Sequence, residues 1–129
     1  MKKTKVLLID DNAYFLRLMH LRLQAECPHF DVRVERNAFE AVSAAREFLP
    51  DIILLDVIMP GKDGGDVAME MRADPQLCKT PIVFFTGLVA RADSGGVVTA
   101  RGMQYLSKTT DTELIIACIE SNLAEQAAA

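Results

Sequence analysis

Asp51-Ile52-Ile53-Leu54-Leu55-Asp56 sets four consecutive aliphatic residues between two carboxylates. An uninterrupted apolar run of this length suits a strand covered on both faces of its sheet, as in parallel α/β sheets. Working outward, Val6-Leu7-Leu8-Ile9 and Ile82-Val83-Phe84-Phe85 repeat the pattern. In all, five strand-like runs, Lys5–Asp10, Asp31–Arg36, Asp51–Asp56, Pro81–Thr86 and Gln104–Ser107, are separated by stretches with helical spacing. That alternation predicts a wound parallel α/β sheet. Val32-Arg33-Val34-Glu35 alternates apolar and charged residues, so the second run is expected at an edge with one face in water.

The segments between the strands carry helix signals of unequal strength. In the first, Asn12 to about Glu26, Tyr14, Phe15, Leu16, Leu18, Met19, Leu21, Leu23 and Ala25 cover an arc of roughly 220° at 100° per residue. This is wider than packing on a sheet requires, so the helix is either deeply packed or offers part of its face to a partner helix. Asn37 and Glu40 have the spacing of a capping box, Ala38, Ala41, Val42, Ala45 and Leu49 share one helical face, and Pro50 ends that run. Thr110 and Glu113 repeat the spacing ahead of Leu114, Ile115, Cys118, Ile119 and Leu123, which starts a last helix near Asp111 that frays in the Ala-rich tail. From Leu88 to Gly102 only a short, mobile helix is expected, because Gly95 and Gly96 each cost about 1 kcal/mol in a helix interior relative to Ala.

Composition narrows the class. With 129 residues, half hydrophobic and a quarter charged, the chain is expected to form one domain, 1–129, with its core at about 4–124. Fourteen Lys and Arg against 18 Asp and Glu give a net charge of -4 without a basic stripe, so direct nucleic-acid binding is not expected. No apolar run approaches the roughly 20 residues that span a bilayer. Met1-Lys2-Lys3 leads into a strand rather than a signal peptide, which predicts a cytoplasmic protein without membrane insertion. Cys27, Cys78 and Cys118 lack CxxC spacing and read as buried small hydrophobes in a reducing compartment, and His20 and His29 lack paired ligand spacing.

Chemistry concentrates where the strands stop. Strand one ends in Asp10-Asp11, strand three in Asp56, strand four in Thr86 and strand five in Ser107-Lys108. In open α/β sheets ligands bind beyond the carboxyl ends of the strands, where strand order reverses. Any one such residue is more simply a helix cap or a solvated loop residue, but four matching ends converge on one rim. Two unit charges 4 Å apart interact by about 4 kcal/mol at an effective dielectric of 20, so three crowded carboxylates call for neutralisation. A hard divalent cation such as Mg²⁺ fits, and Lys108 adds a point charge suited to phosphate.

These residues resemble the response-regulator receiver domain of two-component signalling over essentially the whole chain. The resemblance rests on Asp10-Asp11, Leu54-Leu55-Asp56-Val57-Ile58-Met59-Pro60-Gly61-Lys62-Asp63-Gly64, Thr86-Gly87, Tyr105 and Lys108. It implies a flavodoxin-like, doubly wound sheet of five parallel strands in the order 2-1-3-4-5 with helices on both faces. It also implies a phosphorylation-dependent switch that catalyses only its own phosphorylation and dephosphorylation. Asp56 would be the phosphoacceptor, attacking a phosphohistidine donor. Asp11, Asp56 and the backbone carbonyl of Ile58 would ligate Mg²⁺ directly, with Asp10 acting through water. Thr86 and Lys108 would move onto the phosphoryl oxygens. Tyr105 would turn inward behind Thr86 and change the surface formed by the fourth helix, fifth strand and last helix; the plainer reading is a half-buried strand aromatic. The implied partners are a sensor histidine kinase or phosphotransfer protein, docking on the first helix and the loop after strand five, and a downstream protein target; a homodimer is compatible with this. At 129 residues the chain is expected to signal by contact with another molecule, as a stand-alone regulator or as the receiver part of something longer.

The chain departs from that family in places. Family members usually carry a proline after the lysine, often with a cis bond, whereas Thr109-Thr110 follow Lys108; a cis bond before a non-proline residue costs about 2.5–4 kcal/mol. Either the strain is kept or the loop differs. Ile58 and Leu88 lie where attacking water would approach the phosphoryl group, and both are apolar, which predicts slow self-dephosphorylation. Two other functions compete. A Mg²⁺-dependent aspartate-nucleophile phosphohydrolase would carry a second Asp two residues after the nucleophile, where this chain has Ile58. A phosphorylation-independent pseudo-receiver binding module would have lost acidic, hydroxyl or lysine positions, and none is lost. Neither GxGxxG nor GxxxxGK[ST] follows strand one, so a nucleotide or flavin site lacks support.

Overall fold

A computed structural model describes residues 3–87 and 97–128. β1 (Thr4–Ile9), β2 (Phe30–Glu35), β3 (Ile52–Asp56), β4 (Ile82–Thr86), β5 (Val97–Ala100) and β6 (Met103–Ser107) make one sheet in the order β2-β1-β3-β4-β6-β5. The pairings among β1, β2, β3, β4 and β6 are all parallel. These five strands are the five expected runs in the expected order, and β3 and β4 are buried throughout, as their unbroken apolar composition requires. β2 lies at an edge, with Phe30 and Val32 inward and Val34 exposed.

Helices cover both faces. α1 (Ala13–Glu26) and α4 (Thr112–Ala128) pack Leu16, Met19, Leu23, Ile115, Cys118 and Ile119 against Val6, Leu8, Leu54, Val83 and Phe85. α2 (Ala41–Phe48) and α3 (Gly64–Ala73) pack Ala41, Ala45, Phe48, Val67 and Met71 against Leu7, Ile9, Ile53, Leu55 and Phe84 on the other. Alternate strand residues thus feed two cores. Asn12 caps α1 by accepting the Phe15 amide hydrogen, and Asp63 caps α3 through Asp66. Between α4 and the sheet, the amides of Asn122 and Gln104 bond reciprocally, at 2.9 and 3.1 Å.

Four local expectations are corrected. The helix expected from Leu88 to Gly102 is a strand at Val97–Ala100, which pairs antiparallel with β6 and makes a sixth strand at the far edge. Val97, Val98 and Thr99 are β-branched, and Arg101 (φ 53°) and Gly102 (φ 77°) both take the left-handed conformation of a tight two-residue hairpin turn. Residues 88–96, the rest of that expected helix, lie outside the described residues, and Leu88 with them. Asn37 caps a single 3₁₀ turn, Ala38–Glu40, through the Phe39 amide; its own N–H goes to Glu35, so the reciprocal bond with Glu40 is not made. Leu49 does not share the buried face of α2, because the helix ends at Phe48 and Leu49 turns left-handed (φ 52°) into solvent. Among the described residues the buried Thr110 hydroxyl has no hydrogen-bond partner and does not cap α4, whose first turn closes onto the Asp111 carbonyl. Cys27 and Cys118 are buried as expected, Cys78 only half-buried, and all three are unbonded to one another.

Candidate functional site

Strand order reverses between β1 and β3, and at their carboxyl ends sit Asp10-Asp11 and Asp56. Because β1, β3, β4 and β6 run parallel, Thr86 and Lys108 arrive at the same rim from the other side; the Lys108 amide donates to the Thr86 carbonyl at 3.0 Å. Asp11, Asp56, Ile58, Thr86 and Lys108 all line one open cavity of about 290 Å³. Asp10 and Asp56 are buried and Asp11 is exposed, yet one carboxylate oxygen from each lies within 4.8 Å of the others.

Each side chain has a visible reason for its placement. Asp10 accepts the Asn12 amide hydrogen on Oδ1 (2.9 Å), while its Oδ2 lies 2.6 Å from Lys108 Nζ. Lys108 Nζ is 3.4 Å from Asp56 Oδ1 and lies 4.8 Å from the centroid of the Phe15 ring. The loop beyond Lys108 contains no cis bond; the Thr110 amide closes a turn onto the Ser107 carbonyl, and the Ser107 and Thr109 hydroxyls lie 2.8 Å apart. Gly64 lies against the end of β3: its amide donates to the Val57 carbonyl, and a Cβ there would stand 2.1 Å from the Asp56 carbonyl oxygen. Tyr105 is half-buried and stacked on Phe84 (5.2 Å between centroids), on the face of β4 that also carries Thr86.

The electrostatics follow from the crowding. Burial, and then the charge of Asp10, push the Asp56 carboxyl up to about 6, with Lys108 pulling the other way. Burial pulls the Lys108 ammonium down, but its hydrogen bond to Asp10 and the charges of Asp10 and Asp56 outweigh this, and its net shift is upward. Lys108 therefore stays charged, and one ammonium against three carboxylates leaves the cluster short of positive charge. An all-oxygen donor set in that state suits a hard divalent cation of the Mg²⁺ kind.

Residues 6–120 match the sequence profile of the response regulator receiver domain. The chain belongs to that family. Among receiver-containing relatives, it is 33% identical over 117 residues to the response regulator PleD of Caulobacter vibrioides, covering 91% of this chain and 25% of that protein. It is 29% identical over 121 residues to the DNA-binding response regulator MtrA of Mycobacterium tuberculosis, covering 94% and 51%. The receiver chain thus spans a quarter to a half of the curated relatives it matches. Its fold matches the chemotaxis response regulator CheY4 of Vibrio cholerae, with a TM-score of 0.76, 25% identity and coverage of 94% and 99%. It also matches a response regulator from Desulfuromonas acetoxidans, with a TM-score of 0.75, 24% identity and coverage of 94% and 97%. The strand-end residues picked out in the receiver sequence are brought together. Sequence reasoning had no role for two more. Phe15 was one apolar residue of the α1 arc, and Gly64 was one member of a quoted run whose close approach to Asp56 only the backbone reveals.

Proposed function

We propose that this receiver domain accepts a phosphoryl group on Asp56 from the phosphohistidine of a sensor kinase or phosphotransfer protein, in a Mg²⁺-dependent reaction. The observation that carries this reading is a buried carboxylate lying at once against two other carboxylates and an ammonium, in an open cavity. A carboxylate oxygen of Asp56 forms the new O–P bond as the donor's N–P bond breaks, and the leaving imidazole is protonated from solvent. Phosphoryl transfer needs little from a protein beyond positioning and charge stabilisation. Asp56 is partly desolvated, and Lys108 is within reach of both Asp56 and an incoming phosphoryl oxygen. Asp11, Asp56 and the Ile58 carbonyl would hold Mg²⁺, with Asp10 acting through water; the ion would offset the charge shared by nucleophile and phosphoryl group.

Thr86 and Tyr105 form the switch in this reading. A group of charge near −2 with three strong acceptors draws the Thr86 hydroxyl toward it, and Tyr105 follows. Tyr105 has room to move, because with Phe84 and Met103 it floors a groove of about 740 Å³ beside α3. The surface that changes in this reading includes the groove side of β6, with Met103 and Tyr105. Kinase docking falls on α1, where Tyr14 (80% exposed) and Leu21 (61%) leave apolar surface beyond what packing uses. A cytoplasmic site of action goes with this reading; no helix among the described residues is long and apolar enough to cross a membrane.

The deciding experiment offers radiolabelled phosphate from a panel of the host's histidine kinases and from small phosphodonors, with Asp56→Asn as control. Label on the wild type and none on the variant is expected. Equal labelling of the variant would overturn the assignment of Asp56, and an unlabelled wild type would favour a phosphorylation-independent binding module. Ile58 is 60% exposed and lines the cavity without a polar group, so the aspartyl phosphate should be long-lived. Ile58→Asn or Ile58→Glu is expected to speed loss of label, and unchanged decay would sink that idea.

A further inference from the structure

The turn after Lys108 closes on itself, with the Thr110 amide on the Ser107 carbonyl and the Ser107 and Thr109 hydroxyls 2.8 Å apart, while the Lys108 ammonium reaches to the carboxylates. A four-carbon stem leaves that group several rotamers. The two carboxylates beneath it attract it unequally, at 2.6 Å for Asp10 and 3.4 Å for Asp56. The third neighbour is the Phe15 ring at 4.8 Å, within the roughly 6 Å over which an aromatic face attracts a cation. That ring is itself set edge-on against buried Phe85, with centroids 5.2 Å apart and planes at 73°. Phe85 precedes Thr86 on β4 and pairs with Leu106 on β6, so the ring is fixed to the strands that carry Thr86 and Lys108.

We infer that Phe15 is a positioning residue for phosphoryl transfer. Its ring face confines the Lys108 ammonium between Asp10 and Asp56, and so supplies, from α1, the constraint that a rigid residue following the lysine would supply from the loop. The inference rests on Asp56 being the phosphoacceptor. It also ties the apolar face of α1 to the chemistry, because Phe15 lies one residue from exposed Tyr14.

The test replaces Phe15 with Leu, with Tyr, and with phenylalanines carrying one, two and three ring fluorines. Fluorination drains the negative face of the ring while nearly keeping its shape. Phosphorylation by phosphoramidate is timed at saturating Mg²⁺. Phe15→Leu should slow labelling about three- to tenfold, Phe15→Tyr should restore most of the rate, and the fluorinated series should lose it in steps. Equal rates across the fluorinated series would overturn the inference, since a purely packing role is indifferent to ring charge. A second readout uses the unphosphorylated protein: the Lys108 Hε signals, displaced by the ring current, should return toward the free-lysine position in Phe15→Leu. Signals unmoved by that change overturn the inference even if no donor labels the wild type, the outcome in which the aspartyl-phosphate reading itself has failed.

Discussion

At Asp56, burial and the Asp10 charge raise the carboxyl from 3.8 to about 6, and this sets the direction of a stability change. Below the unfolded value, both states hold the proton. Between about 4 and 6 the unfolded chain releases it while the folded chain keeps it, so stability falls with rising pH through that window and the loss is complete above it. Asp56→Asn should therefore gain stability over the wild type as pH rises from 4 to about 6.5 and then level off. The gain is at most about 3 kcal/mol, at 1.36 kcal/mol per pKa unit, read by urea unfolding in metal-free buffer across pH. Gly64→Ala acts on the same strand end. Its Cβ would overlap the Asp56 carbonyl, and relief of such overpacking costs about 1–3 kcal/mol; a lower unfolding midpoint together with slower labelling is expected. Asp10, Asp11, Asp56, Thr86 and Lys108 were legible because a polar residue closing an apolar run stands out in one dimension. Phe15 was not, since its role depends on which of many apolar α1 residues meets Phe85 and the Lys108 ammonium.

At the scale of elements, the hairpin is where sequence and structure part. Gly95-Gly96 weakened the helix expected there, but Arg101-Gly102 was not read as a turn, because Arg lacks the left-handed preference of Asn or Asp that flags such turns. The tertiary setting imposes φ 53° on Arg101 at a local cost. Arg101→Asn or Arg101→Gly should thus stabilise the protein by about 0.5–1 kcal/mol, and Gly102→Val should destabilise it by about 1–2 kcal/mol. Paired denaturation curves check both, and a neutral Gly102→Val would contradict the turn assignment. The five parallel strands were legible because burial on both faces writes itself as unbroken aliphatic sequence. The caps at Asn37 and Thr110 were misread in detail, because the right spacing does not by itself secure the bond. Glu35 takes the Asn37 amide, and the Thr110 hydroxyl is buried without a hydrogen-bond partner among the described residues.

For the whole molecule, a net charge of -4 is less informative than its concentration at one rim. A cation that binds only the folded cluster adds RT ln(1 + [L]/Kd) to stability, about 2.7 kcal/mol at a hundredfold excess over Kd. Mg²⁺ should therefore raise the unfolding midpoint at pH 7.5, EDTA should reverse this, and Asp11→Asn should abolish most of the effect. An equal rise in Asp11→Asn would place the ion elsewhere. The mixed sheet has a further consequence, for the order in which the chain finds its fold. Parallel partners such as Thr4 with Phe30, or Val83 with Gln104, must wait for a crossover to form, whereas Ala100 meets Met103 across two residues. A hairpin of that kind closes in about 1–10 μs, well before long-range pairings assemble. Tyr105 is thus carried on a locally formed ribbon and meets Phe84 late, when β4 docks; contacts made before the transition state act on the folding rate, so defects in the turn should slow folding more than they speed unfolding.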